Sequence, residues 1–153
     1  MRFNVKRGGS AGIEALESFA RRVHDLVGWH AELYIDSNDL APLQAMLLRL
    51  PKVSIDHLGL SRRGLPTLLT LAEKGVQVKA TGFGRVDFDV AQALRDLWQA
   101  NSERLVFGTD LPSTRAPRPF LRADIDLITS ALGEPAARKV LLDNAVAFYR
   151  PRK

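Results

Sequence analysis

Five short strand patterns, each followed by a helix pattern, constrain the fold of this chain more than any other feature. The predicted strands cover residues 2–5, 30–36, 53–56, 76–81 and 104–107. The predicted helices cover residues 11–27, 40–50, 65–72, 90–98, 124–132 and 135–142, where apolar residues recur at three- and four-residue spacing. Strands that alternate with helices form a parallel sheet with crossover helices. We therefore predict an α/β protein.

The side chains of the second and fourth strands distinguish two architectures. One face of the second strand carries His30, Glu32 and Tyr34, and one face of the fourth carries Lys79 between Gln77 and Thr81. The strands of an open, doubly wound sheet are usually apolar on both faces. Polar faces are better explained by the interior of a barrel near its mouth. At roughly 30 residues per strand–helix unit, three further units would complete a barrel of about 250 residues.

We therefore predict that residues 1–153 form a single domain, the C-terminal five-eighths of a (β/α)8 TIM barrel. An open five-stranded doubly wound sheet is the alternative. An incomplete barrel would leave two strand edges and apolar interior surface exposed. We therefore expect self-association, in which a homo-oligomer closes the open edges of the sheet.

Composition excludes several kinds of site and of partner. The chain has no cysteine, which excludes disulfides, thiolate metal sites and a thiol nucleophile. The net charge of +5 favours anionic partners, and arginine is well suited to bind carboxylates in two-pronged fashion. Aromatic residues make up only 7% of the sequence, so stacking platforms for nucleic acid are scarce. We expect a small anionic substrate and no nucleic acid.

Neither a membrane segment nor a known nucleotide motif is apparent. No apolar run approaches the roughly 20 residues that cross a bilayer, and the first residues do not resemble a secretory signal. We therefore expect a cytoplasmic protein with no membrane partner. The glycine-rich segment at residues 8–12 matches neither a dinucleotide fingerprint nor a Walker loop, and no G-x-S-x-G elbow is present.

Ionisable residues gather where the predicted strands end, which is where parallel α/β folds place their sites. Asp110, in Gly-Thr-Asp-Leu-Pro, is either a general base or the acceptor of a turn. His57 is either a core histidine bonded to the backbone, or a neutral donor to a substrate carbonyl or a metal ligand. The candidates for binding a substrate carboxylate are Arg2, Arg7, Arg85 and Tyr34.

The motifs at the strand ends resemble, as a set, the amidohydrolase-related family of metal-dependent hydrolase barrels. They are Arg2-Phe3-Asn4, Trp29-His30 through Tyr34, Asp56-His57-Leu58-Gly59, Lys79-Ala80-Thr81-Gly82 with Arg85, Gly108-Thr109-Asp110-Leu111-Pro112 and Asp143-Asn144-Ala145. Within that family the chain looks most like the 2-pyrone-4,6-dicarboxylate lactonase group. The resemblance covers nearly the whole chain.

The resemblance implies a hydrolase that opens a lactone ring, with Asp110 activating water and His57 polarising the carbonyl or binding substrate. It also implies that arginines and a tyrosine hold the substrate carboxylates. The lactonase group is thought to need no metal, whereas many relatives use one divalent ion. We therefore expect no cofactor, while His30, His57 and Asp110 are the candidate ligands if a divalent ion is bound.

The chain departs from the family in lacking the His-x-His pair of the first barrel strand. Its first strand matches the fourth strand of the family instead. The resemblance therefore implies an N-terminal truncation. An alternative function follows from it, namely a catalytically inactive remnant that binds anionic ligands or a partner chain.

Overall fold

The computed structural model describes residues 1–150, and its strands form one five-stranded sheet. The strands are β1 (Arg2–Phe3), β2 (Ala31–Leu33), β3 (Val53–Ile55), β4 (Gln77–Ala80) and β5 (Leu105–Phe107). They are hydrogen-bonded in the order β1-β2-β3-β4-β5, and every neighbouring pair is parallel. Residues 151–153, the last three positions of the predicted domain, lie outside the described residues.

Seven α-helices connect or follow the described strands. They are α1 (Leu16–Val27), α2 (Gln44–Leu47), α3 (Leu65–Glu73), α4 (Val90–Ala100), α5 (Arg122–Leu132), α6 (Glu134–Arg138) and α7 (Asn144–Tyr149). A π-helical turn, Lys139–Asp143, joins the last two. Between residues 1 and 150, no helix combines the length and the apolar character that crossing a membrane requires.

The order of the strands decides between the two predicted architectures. Crossovers between parallel strands are right-handed, so a chain that always moves on to the next strand places all its helices on one face. A doubly wound sheet reverses direction part-way and covers both faces. The sequential order therefore confirms the α/β fold as a segment of a TIM-type barrel, and the doubly wound alternative is wrong.

One row of buried apolar residues crosses the sheet on its helical face. Phe3 pairs in register with Leu33, Leu33 with Ile55, Ile55 with Val78, and Val78 with Leu105. All five are buried. The helices cover this row with buried residues of their own, among them Leu16, Leu47, Leu68, Leu94 and Ile128. The hydrophobic core therefore lies between the sheet and the helices.

The opposite face of the sheet is polar, as the alternation of side chains predicts. Asp56 Oδ2 lies 2.8 Å from Arg2 Nη2, and Asp56 Oδ1 lies 3.0 Å from Lys79 Nζ. Glu32 Oε2 lies 2.8 Å from the same Lys79 nitrogen, and Glu32 Oε1 lies 3.7 Å from Arg2 Nε. These four side chains close a ring of alternating charge, which we call the charge ring.

Lys79 holds two acidic groups of this ring at once. Burial opposes ionisation of Glu32, but the His30 ring and the Lys79 ammonium beside it outweigh burial and bring the pKa of Glu32 to about 2. Burial raises the pKa of Asp56, and Lys79 acts against that rise. Without Lys79, the two carboxylates would share Arg2, half of whose side chain is exposed, as their cationic partner.

The predicted elements are correct in order and often too long. β2 has three residues instead of seven, and the helix predicted at 40–50 is a 3-10 turn (Ala41–Leu43) that contains Pro42, followed by the four-residue α2. A 3-10 turn at Ile13–Ala15 precedes α1. The helix predicted at 135–142 is α6 plus the π-helical turn, and α7 was not predicted. The helices predicted at 65–72 and 90–98 are confirmed as α3 and α4.

Lys79→Met should destabilise the protein by about 3–5 kcal/mol, the usual cost of removing one partner from a buried ion pair. The measurement is urea unfolding at pH 7 and at pH 4. The loss should be smaller at pH 4, because in the variant Glu32 no longer has the Lys79 ammonium that lowers its pKa, and protonation then relieves the repulsion between Glu32 and Asp56. Lys74→Met, at an exposed position after α3, is the matched control. A Lys79→Met variant as stable as that control would contradict the prediction.

Candidate active site

A cleft of about 310 Å³ lies at the carboxyl ends of the strands. Its lining includes all six residues predicted to act on or bind substrate: Arg2, Arg7, Tyr34, His57, Arg85 and Asp110. Arg2 lies in β1 and Arg7 follows it, while the other four follow β2, β3, β4 and β5 in turn. They meet because parallel strands end at the same edge. The structure thus brings the predicted residues together in one cleft.

His57 reaches the cleft through a left-handed turn at the end of β3. The φ angles from His57 to Leu60 are 51°, 51°, 74° and 71°. Positive φ strains residues other than glycine, and such strain persists only where the surroundings enforce it. Leu58, fully buried in the core, is part of that enforcement. The turn holds the His57 ring buried, with its centre 5.3 Å from the Tyr34 ring in an edge-on contact.

Thr81, directly after β4, bonds to both the ring and the backbone of His57. Its Oγ1 lies 2.7 Å from His57 Nδ1 and accepts the backbone N–H of His57 at 3.2 Å. The next residue, Gly82, has a φ of 59°, and a Cβ there would lie 2.7 Å from His57 Nδ1. Glycine is therefore the residue that allows the loop to pack so closely on the ring.

Asp110 follows β5 and faces His57 across the cleft. Arg85 Nε donates to Asp110 Oδ2 at 2.6 Å, and Arg85 Nη2 donates to the backbone oxygen of Thr114 at 3.1 Å. The other carboxylate oxygen, Oδ1, lies 3.8 Å from His57 Nε2. Asp110 has a φ of 62°, a region that aspartate tolerates better than most residues. One oxygen is thus occupied by Arg85, and the other is turned towards the histidine.

The three arginines of the predicted carboxylate clamp have different partners. Arg2 is bound to Asp56 of the charge ring, and Arg85 is bound to Asp110. Arg7 Nε donates to the hydroxyl of Tyr34 at 3.3 Å, and its guanidinium lies 6.0 Å from the centre of that ring. In the part of the chain that the structure describes, no carboxylate forms an ion pair with Arg7. Of these three arginines, Arg7 is therefore the one whose positive charge has no carboxylate partner among the described residues.

The electrostatic environment keeps the His57 ring neutral. Burial lowers its pKa to about 4, although the Asp110 carboxylate opposes that change. The positive charges of Arg85, Arg2 and Lys79 reinforce the lowering. At neutral pH the imidazole therefore has one N–H donor and one lone pair rather than two donors.

Comparison with known proteins places the chain in a family. A family model described as amidohydrolase matches residues 1–150. The chain belongs to the amidohydrolase family. A search of curated proteins finds no match.

A solved structure similar to this amidohydrolase is the apo crystal structure of the Agrobacterium tumefaciens protein ATU3138. The two share 21% sequence identity and superpose with a TM-score of 0.75. The match covers 99% of this chain and 60% of the other, so the chain spans less than two thirds of that protein. At this identity the likeness supports the fold.

The donor set of the cleft does not fit a metal ion by itself. Among residues 1–150, no three histidine or acidic side chains are grouped closely enough to hold one. His57 and Asp110 are two donors, but Thr81 occupies one ring nitrogen and Arg85 one carboxylate oxygen. His30 lies away from the cleft, with its ring 4.9 Å from that of Phe148. The described side chains of this amidohydrolase therefore do not form a metal site.

Thr81 and Gly82 are parts of the site that were not among the predicted site residues, because neither side chain is ionisable. The alternation of β4 places Thr81 on the same face as Lys79, so its position near the site could have been predicted. Its partner could not, because the left-handed turn that brings His57 to it has no clear signature in the sequence. The need for Gly82 follows from the same close approach.

The free energy of unfolding should fall as the pH is lowered from 6.5 to 4. Over this range the unfolded chain binds a proton on His57 and the folded protein does not, so acid favours unfolding. The contribution of His57 is on the order of 3 kcal/mol. Urea unfolding at several pH values, with NMR titration of the ring, measures it. His57→Gln should flatten the dependence, and an unchanged slope in that variant would contradict the assignment.

Proposed function

We propose that this amidohydrolase hydrolyses a lactone that bears carboxylates, of the 2-pyrone-4,6-dicarboxylate type. The observation that carries the proposal is the arrangement around Asp110. One of its carboxylate oxygens is held by Arg85 at 2.6 Å, and the other faces the neutral His57. A carboxylate fixed in this way beside a hydrogen-bond donor is suited to adding water to a carbonyl.

Asp110 acts as the general base. Arg85 fixes the direction of the carboxylate through Oδ2, so Oδ1 is the oxygen that can accept a proton from water. The side chain is largely buried, and the lining of the cleft includes Leu111 and Pro112. A partly dry environment strengthens the interaction between a carboxylate and the water it activates.

His57 stabilises the charge that develops on the substrate. The water oxygen bonds to the lactone carbonyl carbon while Asp110 takes the proton, and the carbonyl oxygen becomes an oxyanion. A ring N–H of His57 aimed at that oxygen provides the stabilising hydrogen bond. The ring C–O bond then breaks, and Asp110 returns the proton to the departing oxygen, so the base is restored.

Carboxylates of the substrate are bound through the basic side of the cleft. Arg7 offers a guanidinium with no carboxylate partner among the described residues, and Tyr34 holds it in place through its hydroxyl. A second cleft of about 310 Å³ adjoins the first and shares Arg7, Tyr34, Arg85 and Arg115 with it. Two adjoining basic clefts fit a substrate with more than one carboxylate.

Asp110→Asn should lower kcat by about 10²- to 10⁴-fold, because asparagine cannot take the proton from water. The measurement is the loss of lactone absorbance together with proton release, using 2-pyrone-4,6-dicarboxylate. Asp126→Asn, at an exposed position of α5, is the matched control and should retain full activity. Equal turnover by Asp110→Asn and the control would refute the proposed mechanism.

Arg7→Met should raise KM for a dicarboxylate lactone by about 10- to 100-fold and leave kcat within a few-fold, since hydrogen bonds to a charged group contribute about 1.5–3 kcal/mol. A lactone without carboxylates should show no such change. Arg22→Met, exposed on α1, is the control for the loss of one positive charge. A loss in kcat alone would contradict a binding role for Arg7.

A second candidate function is binding of carboxylate ligands without turnover. The open charge of Arg7 favours it, because that residue binds an anion whether or not Asp110 reacts. Calorimetric titration with 2-pyrone-4,6-dicarboxylate distinguishes the two functions. Saturable, salt-sensitive binding without ring opening would favour the binding function over hydrolysis.

A further inference from the structure

Thr81 carries the one hydroxyl group that is hydrogen-bonded to the His57 ring, among the hydrogen bonds that the structure describes. Its side chain is buried beneath the cleft together with that ring. Oγ1 lies 2.7 Å from Nδ1 and accepts the backbone N–H of His57 at 3.2 Å. One hydrogen bond holds the backbone nitrogen of His57 and the other holds its ring, so Thr81 fixes both the turn and the orientation of the ring.

The hydrogen of the Thr81 hydroxyl indicates which ring nitrogen carries the proton. Oγ1 has two lone pairs and could accept both the backbone N–H of His57 and an Nδ1–H, but the buried threonine hydrogen would then have no acceptor among the described hydrogen bonds. Donation from the threonine hydroxyl to Nδ1 gives every one of these groups a partner. A neutral imidazole whose Nδ1 accepts a hydrogen bond carries its hydrogen on Nε2.

The surroundings of Nε2 favour the same tautomer. Asp110 Oδ1 lies 3.8 Å from Nε2 and is an acceptor. A bare nitrogen lone pair facing that oxygen would be repelled, whereas an N–H is attracted to it. Both ends of the ring therefore favour hydrogen on Nε2.

We propose that Thr81 is a positioning residue that holds His57 in the Nε2–H tautomer, so that the ring donates a hydrogen bond into the cleft instead of accepting a proton there. This inference rests on the proposed function, since it assigns His57 the part of carbonyl donor and leaves Asp110 as the base. The opposite tautomer would present a lone pair to the substrate carbonyl and repel it.

The first test reads the tautomer directly and needs no substrate. Two-bond ¹H–¹⁵N spectra of the ¹⁵N-labelled protein distinguish protonated from bare ring nitrogens. The chain has three histidines, and His57 is assigned by its absence in His57→Gln. We expect hydrogen on Nε2 in the wild type and in Thr81→Ser, and a mixture of tautomers in Thr81→Val. Hydrogen on Nδ1 in the wild type, or an unchanged ring in Thr81→Val, would overturn the proposal.

The second test separates positioning from a general structural role. Thr81→Val should lower kcat about tenfold with little change in KM, the effect of losing one hydrogen bond. Thr81→Ser should restore kcat, because it keeps the hydroxyl. Thr70→Val, which removes a hydroxyl from α3, is the matched control and should leave kcat unchanged. An equal loss in the serine variant, or a change confined to KM, would contradict positioning.

The two tests fail in different ways. Absence of lactone turnover in the wild-type protein would refute the proposed function, while the NMR result would still decide the role of Thr81. If thermal unfolding shows that Thr81→Val does not fold, Thr81→Ala supplies the variant without a hydroxyl. In that variant an unchanged ring would overturn the proposal in the same way.

Discussion

The charge ring is the constraint on which the remaining structure depends. Four strand regions contribute one residue each, and every charged group has an opposite charge on both sides. Burial of these groups is costly, and only mutual pairing compensates for it. A shift of any strand by one residue would turn its ring member towards the helices and its apolar row towards the ring. The ring therefore specifies the register of the sheet, and with it the places where the strands end.

The ring also explains why the arginines near the cleft are not equivalent. Arg2 belongs to the charge ring and also lines the cleft, and its positive charge is already paired with Asp56. Arg85 is likewise matched by Asp110. An anion entering the cleft would have to compete with a carboxylate for either of them. Arg7 requires no such exchange, so of these three arginines it contributes most to attraction of the substrate, while Arg2 and Arg85 contribute mainly to the geometry of the site.

Sequence patterns were sufficient to predict the strand order and which residues line the cleft. They did not predict the exact strand lengths or the turn at His57. The apolar spacing of α3 and α4 predicted helices that the structure contains, because those helices cover the row across the sheet. The positions of His57 and Asp110 after the third and fifth strand patterns predicted that both lie at the same edge of the sheet, and both line the cleft. The strands were predicted too long, since alternation continues past the last ladder bond into the turns. The turn at His57 depends on tertiary packing, which single-sequence patterns do not report.

That turn explains how a histidine and a carboxylate can share the cleft without cancelling each other. A protonated His57 would pair with Asp110 and occupy the carboxylate oxygen that Arg85 leaves open. Burial and the neighbouring cations prevent that by holding the ring neutral. The left-handed backbone is strained, and the burial of Leu58 and the bonds to Thr81 maintain it. The turn thus holds the ring in the buried position that keeps it neutral, so a hydrogen-bond donor and a base lie side by side, which is what addition of water to a carbonyl requires.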